Sequence, residues 1–176
     1  MRLRQFGFIA ALTVAASVAG SGVRPQGSDV SAWPVGAAEV VSLDGLRNAE
    51  FGVTEAELTR RGVLRTELDA CGPTLAGHGS VSPIFVDERL VLLWLDEPMS
   101  TPEGITVGAP VAEVRVAYPS AVELAAPPAT YRFDGLLARH GDRAYLFLHD
   151  GTTVREIIAG YADWARRLFD EGYGPC

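Results

Sequence analysis

The sequence predicts an α+β protein: two unequal helix-plus-antiparallel-sheet repeats that share one core, closed by a C-terminal helix. Three observations carry that expectation. Short apolar runs separated by tight-turn residues read as antiparallel strands. A capped helical segment with the same punctuation stands ahead of each set of strands. The last apolar stretch then changes to helical spacing.

The elements follow in order. Residues 40–43 form a short apolar strand that ends at Asp44-Gly45. Next comes a helix whose two ends are both marked. Thr54 is an N-cap, Glu55 and Glu57 complement the positive N-terminal dipole, Arg60 and Arg61 the negative C-terminal end, and Gly62 supplies a left-handed exit. After the turn at Cys71-Gly72-Pro73, the apolar runs at 81–86 and 90–95 flank Asp87-Glu88-Arg89, which suits a hairpin. The second run, Leu90-Val91-Leu92-Leu93-Trp94-Leu95, is apolar on both faces, so it belongs in a strand covered on both sides. Trp94 and Trp164 are expected in the core.

The plan then recurs. Gly52, Glu57 and Leu58 align with Gly108, Glu113 and Val114, with Pro110 in the first turn of the second helix and Pro119 at its end. Strands are expected at 130–133, 135–139, 143–148 and 152–158, joined by turns at His140-Gly141-Asp142 and His149-Asp150-Gly151. Tyr161, Trp164, Ala165, Leu168 and Phe169 fall at the spacing of one helical face. Neither unit, about 40–98 or about 99–176, is large enough to close a core alone, so both belong to a single domain over 39–176.

Ahead of that domain, residues 1–20 have the three parts of a secretory signal peptide. Arg2 and Arg4 lead an apolar run over 6–18, and small residues follow at the exit. The run is well short of the ~20 residues that a membrane-spanning helix needs, so no transmembrane segment is expected in the mature form. Residues 21–38, rich in Gly, Ser and Pro, have the composition of a flexible linker. The expected address is secreted or extracytoplasmic, with association with the cell envelope as one form of it.

Charge removes one class of function. The 15 basic residues are all arginine, against 22 acidic residues; without Arg2 and Arg4 the mature balance is 13 to 22, or −9. The arginines are dispersed, so an acidic surface with no basic stripe argues against nucleic acid as a partner. The two cysteines, Cys71 and Cys176, lack metal-site spacing and in an oxidising compartment read as a disulfide. In the chain-entropy picture, closing a loop of that length contributes about 4 to 5 kcal/mol.

Two stretches carry a resemblance. The pattern Gly52-x-Thr54-x-x-Glu57-Leu58, and the run from Thr101-Pro102-Glu103-Gly104-Ile105 through Gly108 and Glu113-Val114-Arg115 to Tyr118-Pro119, with a terminal cysteine, resemble a group of actinobacterial exported proteins and lipoproteins of unknown function. More distantly, the unit is similar to the repeated module of the β-lactamase inhibitor protein and of SmpA/OmlA-type envelope lipoproteins, where helices pack on an antiparallel sheet. The resemblance implies that fold, an extracytoplasmic compartment, and protein binding rather than chemistry. It carries over no binding residue, and the lipidation cysteine of the lipoprotein members is missing here.

No catalytic constellation is legible, and neither a metal nor a cofactor is expected. His78, His140 and His149 stand beside glycine or aspartate in turns, which reads as solvated turn chemistry. Convergence of His140, Asp142, His149 and Asp150 at neighbouring hairpin ends would be needed for a metal site, without any zinc-type spacing to support it. Gly77-His78-Gly79-Ser80 is the nearest approach to a catalytic loop, with no orienting acid identified, and the acidic doublets Asp87-Glu88 and Asp96-Glu97 read as solvated turns. Partner-binding candidates are Trp33 in the linker and Tyr173 in the C-terminal tail. The expected role is a non-enzymatic module that binds an extracytoplasmic protein. The alternative is a small secreted hydrolase working through its turn histidines.

Overall fold

Apolar residues at alternate positions on both faces of successive strands require cover on both sides, and the chain supplies it by laying helices on each face of one sheet. The structure, a computed structural model, describes residues 39–65, 72–128, 130 and 132–172. The signal peptide and linker, Cys71, Cys176, Trp33 and Tyr173 lie outside the described residues.

In chain order the elements are β1 (Gly45–Leu46), β2 (Ala49–Glu50), α1 (Glu55–Arg60), β3 (Leu64–Arg65), β4 (Thr74–Leu75), β5 (Val81–Val86) and β6 (Arg89–Leu95). They continue with α2 (Val111–Ala117), β7 (Val122–Leu124), β8 (Asp134–His140), β9 (Arg143–His149), β10 (Val154–Tyr161) and α3 (Ala162–Glu171). Six strands make one antiparallel sheet in the order β5-β6-β10-β9-β8-β7. Two short ladders, β1-β2 and β3-β4, complete the described strands.

Pleating divides the side chains between two apolar clusters. On one face Tyr145 and Phe147 of β9 and Ile157 and Ala159 of β10 pack with Leu58 of α1 and Val111 and Val114 of α2. On the other, Leu146 and Ile158 pack with Ala165, Leu168 and Phe169 of α3. The first cluster draws on both halves of the chain and is the shared core. β6 lies between β5 and β10 and is buried along almost its whole length, as a strand apolar on both faces requires.

The recurring punctuation has a structural counterpart. Gly52 N–H donates to Leu90 O at 2.8 Å and Gly108 N–H to Val154 O at 2.8 Å; Leu90 N–H returns to Val53 O and Val154 N–H to Ala109 O; Glu55 N–H reaches Glu88 O and Val111 N–H reaches Thr152 O. Thr54 bridges Arg89 as Pro110 bridges Thr153. Each helix is thus stitched by its first residues to the start of a central strand, β6 in one unit and β10 in the other. Both Gly52 (φ +89) and Gly108 (φ +86) are left-handed, the reason glycine occupies both positions.

Local chemistry accounts for the ends. Thr54 Oγ1 accepts from Glu57 N–H at 3.2 Å, an N-cap bond. Pro110 is the N-cap of α2 rather than part of its first turn. Pro119 forces the preceding Tyr118 out of the helical region to φ −127, ψ 70, and α2 ends there. At the β5-β6 hairpin, Asp87 (φ +48) and Glu88 (φ +61) make a two-residue turn with both residues left-handed, matching the twist of the strands. Pro83, on the edge strand β5, cannot donate to a further strand.

Several expectations are corrected. The strand expected at 130–133 is not formed by the described residues there; the sheet's edge is instead β7, three residues long. Residues 40–43 make only isolated bridges, Val40 to Ser100 and Ser42 to Gly45. Tyr161 closes β10 and caps α3 instead of lying inside the helix. Trp94 and Trp164 are half-buried against the α3-side cluster, because each stands where the sheet or helix meets solvent.

Candidate functional site: an aromatic cleft beside the second helix

The exit from α2 builds the site. Leaving the helix at Tyr118 sets that ring against β9, 5.7 Å from Tyr145 and 5.2 Å from Phe147, whose own rings are 6.0 Å apart on the same face of the strand. The loop before α2 folds back on itself: Thr101 N–H donates to Ile105 O at 2.9 Å and Thr101 Oγ1 accepts from Ile105 N–H at 3.3 Å. That turn carries Glu103, whose carboxylate accepts from Tyr118 Oη. Tyr145 Oη donates to Val41 O at 2.8 Å and so ties the entering chain to the sheet.

Between these groups lies a cleft of about 380 Å³, with Leu43, Glu103, Tyr118, Ser120, His140 and Tyr145 in its lining. Burial pushes the Tyr118 phenol far above its usual range, and the hydrogen bond to Glu103 adds to that. Tyr145 is raised by burial first, then by the carboxylates of Glu103 and Asp44. Both tyrosines therefore stay protonated, and their hydroxyls donate to Glu103 and to Val41 O. Ser120 and His140 line the same cleft, and no hydrogen bond joins them.

The histidines do not converge. His140 pairs with Arg143 at one end of the β8-β9 ladder and His149 with Asp134 at the other. Six residues of strand put roughly 20 Å between them. His149 is also buried, 6% exposed, contrary to its reading as a solvated turn residue; its Nδ1 accepts from Gly151 N–H at 3.1 Å. The aspartates near them are engaged locally. Asp142 pairs with Arg143, while Asp150 accepts from Thr152 N–H, Thr153 N–H and Thr152 Oγ1 and pairs with Arg155. His78 Nδ1 meets Glu39 Oε2 at 2.8 Å, and residues 77–80 form turns that lead into β5. Among the described residues no group of three or more His, Cys, Asp or Glu side chains is placed to hold a metal ion. No described helix is long and apolar enough to cross a membrane.

Glu103, Tyr118 and Tyr145 were not singled out as site residues by the sequence. Two signals bear on them: the Tyr118-Pro119 pair, which turns a helix-terminal tyrosine inward, and the aromatic alternation of Tyr145 and Phe147 in β9.

Fold and cleft together define an α+β protein of the helix-on-antiparallel-sheet class, with a ligand-sized aromatic hollow at the exit of its second helix. Compared with protein-family models, with curated proteins and with solved structures, the chain matches none of them.

Proposed function

We propose that the chain is a secreted or envelope-associated, non-enzymatic module that binds an extracytoplasmic protein, and that the cleft beside α2 belongs to its recognition surface. The observation that carries this reading is the pairing of an aromatic cleft, whose two tyrosine hydroxyls already donate to Glu103 and Val41, with an exposed apolar side chain next to it. Val116, on the outer face of α2, is 82% exposed. The signal-peptide pattern and the resemblance to protein-binding envelope modules point the same way.

The hydrolase reading ranks second. His78 is held by Glu39, His149 is buried with Nδ1 occupied, and among the described residues no nucleophile is hydrogen-bonded to His140. A broad hydrolase panel that revealed an activity lost in His140→Ala would put that reading first.

The direct test is crosslinking capture from the exoprotein and envelope fractions of the producing organism, with the oxidised protein as bait. One protein enriched to near-stoichiometric level, and lost when Tyr118 is replaced by alanine in a variant that still folds, is the expected result. Recovery of nothing above background would overturn the module reading.

A further inference from the structure

The outer face of α2 combines exposed apolar and acidic side chains. Its exposed positions are Ala112, Glu113, Arg115 and Val116. Between the helix and the preceding loop lies a second hollow, about 370 Å³, formed by Ile105, Ala112, Val116 and Ala117 and edged by Glu103 and Glu113. Glu103 and Ala117 line the aromatic cleft as well, so the two hollows share a wall.

Charge on this face is one-sided. The lining of the second hollow holds two carboxylates and no basic side chain, whereas Glu57 is matched by Arg60 and Arg61, Asp150 by Arg155, and Asp170 by Arg166. The arginine on α2 itself, Arg115, is turned away to Glu123 at 2.8 Å. Arg139 lines the aromatic cleft itself and is paired with Asp163 at 3.2 Å, so the cleft carries a cation that the α2 hollow lacks. Among the described residues Glu103 takes only a neutral phenol and Glu113 has no ion-pair partner, and Asp44 adds negative potential at Tyr145. His140 lines the aromatic cleft beside Arg139.

From this complementarity we infer that the occupant of the α2 face is a basic amphipathic segment of the partner protein. Apolar side chains of that segment lie along Val116, Ile105 and Ala112, and an arginine or lysine head group sits between Glu103 and Glu113 with the Tyr118 ring beside it. The fit has three parts. Methylene stems of long basic side chains cover apolar surface while keeping their charge at its rim. A cation beside an aromatic ring and a carboxylate satisfies both. Unpaired carboxylates on one side of an interface select opposite charge and reject like charge. The inference rests on the protein-binding reading and specifies the chemistry of the partner.

The probe is a pair of synthetic twelve-residue peptides, one alternating leucine with arginine at helical spacing and one with glutamate in place of arginine, titrated into the full-length protein. Affinity is read by fluorescence anisotropy and location by backbone-amide NMR shifts. The arginine peptide is expected to shift Gly104, Glu113, Val116 and Ala117, with binding that weakens as salt rises. The glutamate peptide is expected not to bind. The double variant Glu103→Gln/Glu113→Gln keeps an acceptor for Tyr118 and should lose roughly tenfold in affinity. Val116→Ser, at a site already open to water, should lose several-fold without a change in thermal midpoint.

Shifts spread elsewhere, equal binding of both peptides, or unchanged affinity in the double variant would overturn the inference. Capture experiments separate it from the reading beneath it. A partner retained in full by both variants sinks the docking face and leaves the module reading standing, whereas a partner lost by both supports the face.

Discussion

His149 shows how one buried side chain sets a pH response. Burial lowers its pKa first and foremost; Asp134, Glu123 and Asp150 pull it up, Arg115 pushes it down further, and burial wins. The unfolded imidazole takes up its proton near pH 6.5 and the folded one only at lower pH, so below that point the unfolded state binds more protons. Stability is therefore complete above about pH 6.5 and is lost as the pH falls toward the folded value. Asp150 does not contribute to that slope. Its carboxyl accepts two backbone N–H bonds and a hydroxyl, which hold it far below the usual carboxylate range, so it stays ionised throughout. Urea unfolding at pH 8 and pH 5 should show a weaker native state at pH 5, with most of the difference removed in His149→Gln. An unchanged difference in the variant would place the titrating group elsewhere. The sequence exposed the turn that contains His149 but not its burial. The residues that bury it are supplied by β8, β10 and the chain near α2, and local spacing does not report such distant neighbours.

At the scale of elements, the two helix starts carry the repeat. Gly52 and Gly108 hold the same left-handed backbone and donate to the same place on their strands, but their surroundings differ. A Cβ at Gly52 would stand 2.7 Å from Tyr161 Oη, whereas at Gly108 the nearest atom is Glu97 Oε1 at 3.7 Å. Gly108→Ala should therefore cost only the backbone strain, about 1 to 3 kcal/mol, and Gly52→Ala that amount plus the displacement of Tyr161. Chemical denaturation of both variants measures the pair; equal losses would mean that Tyr161 yields freely. Caps and glycines made this repeat readable in the sequence, because they act within a few residues of themselves. β7 was not readable. Val122-Glu123-Leu124 is too short to show a period, and its place in the sheet comes from pairing with Leu136 and Leu137 of β8. The candidate site escaped for a related reason: Glu103, Tyr118 and Tyr145 meet only once a loop, a helix end and a strand have been assembled.

For the whole molecule, the decisive contact is the seam between units. β6, from the first unit, pairs with β10, from the second, through Leu92 to Leu95 against Ile157 to Gly160, so the middle of the sheet exists only when both halves are present. The apolar cluster on one side contains Leu58 and Val114, the equivalent helix residues of the two units, and the cluster on the other joins Val91 and Leu92 to α3. Neither unit keeps a complete core without the other, and the domain should unfold in one cooperative step. The tryptophans offer a direct check, because Trp94 belongs to the first unit and Trp164 to the second, and both are half-buried against the same cluster. In a Trp33→Phe background, variants that retain only Trp94 or only Trp164 should report the same denaturant midpoint and slope, once each is compared with circular dichroism of the same sample. An earlier midpoint for Trp94 than for Trp164 within a single sample series would mean that β5 and β6 peel away first, and the seam would then be a docking of two units instead of the middle of one core.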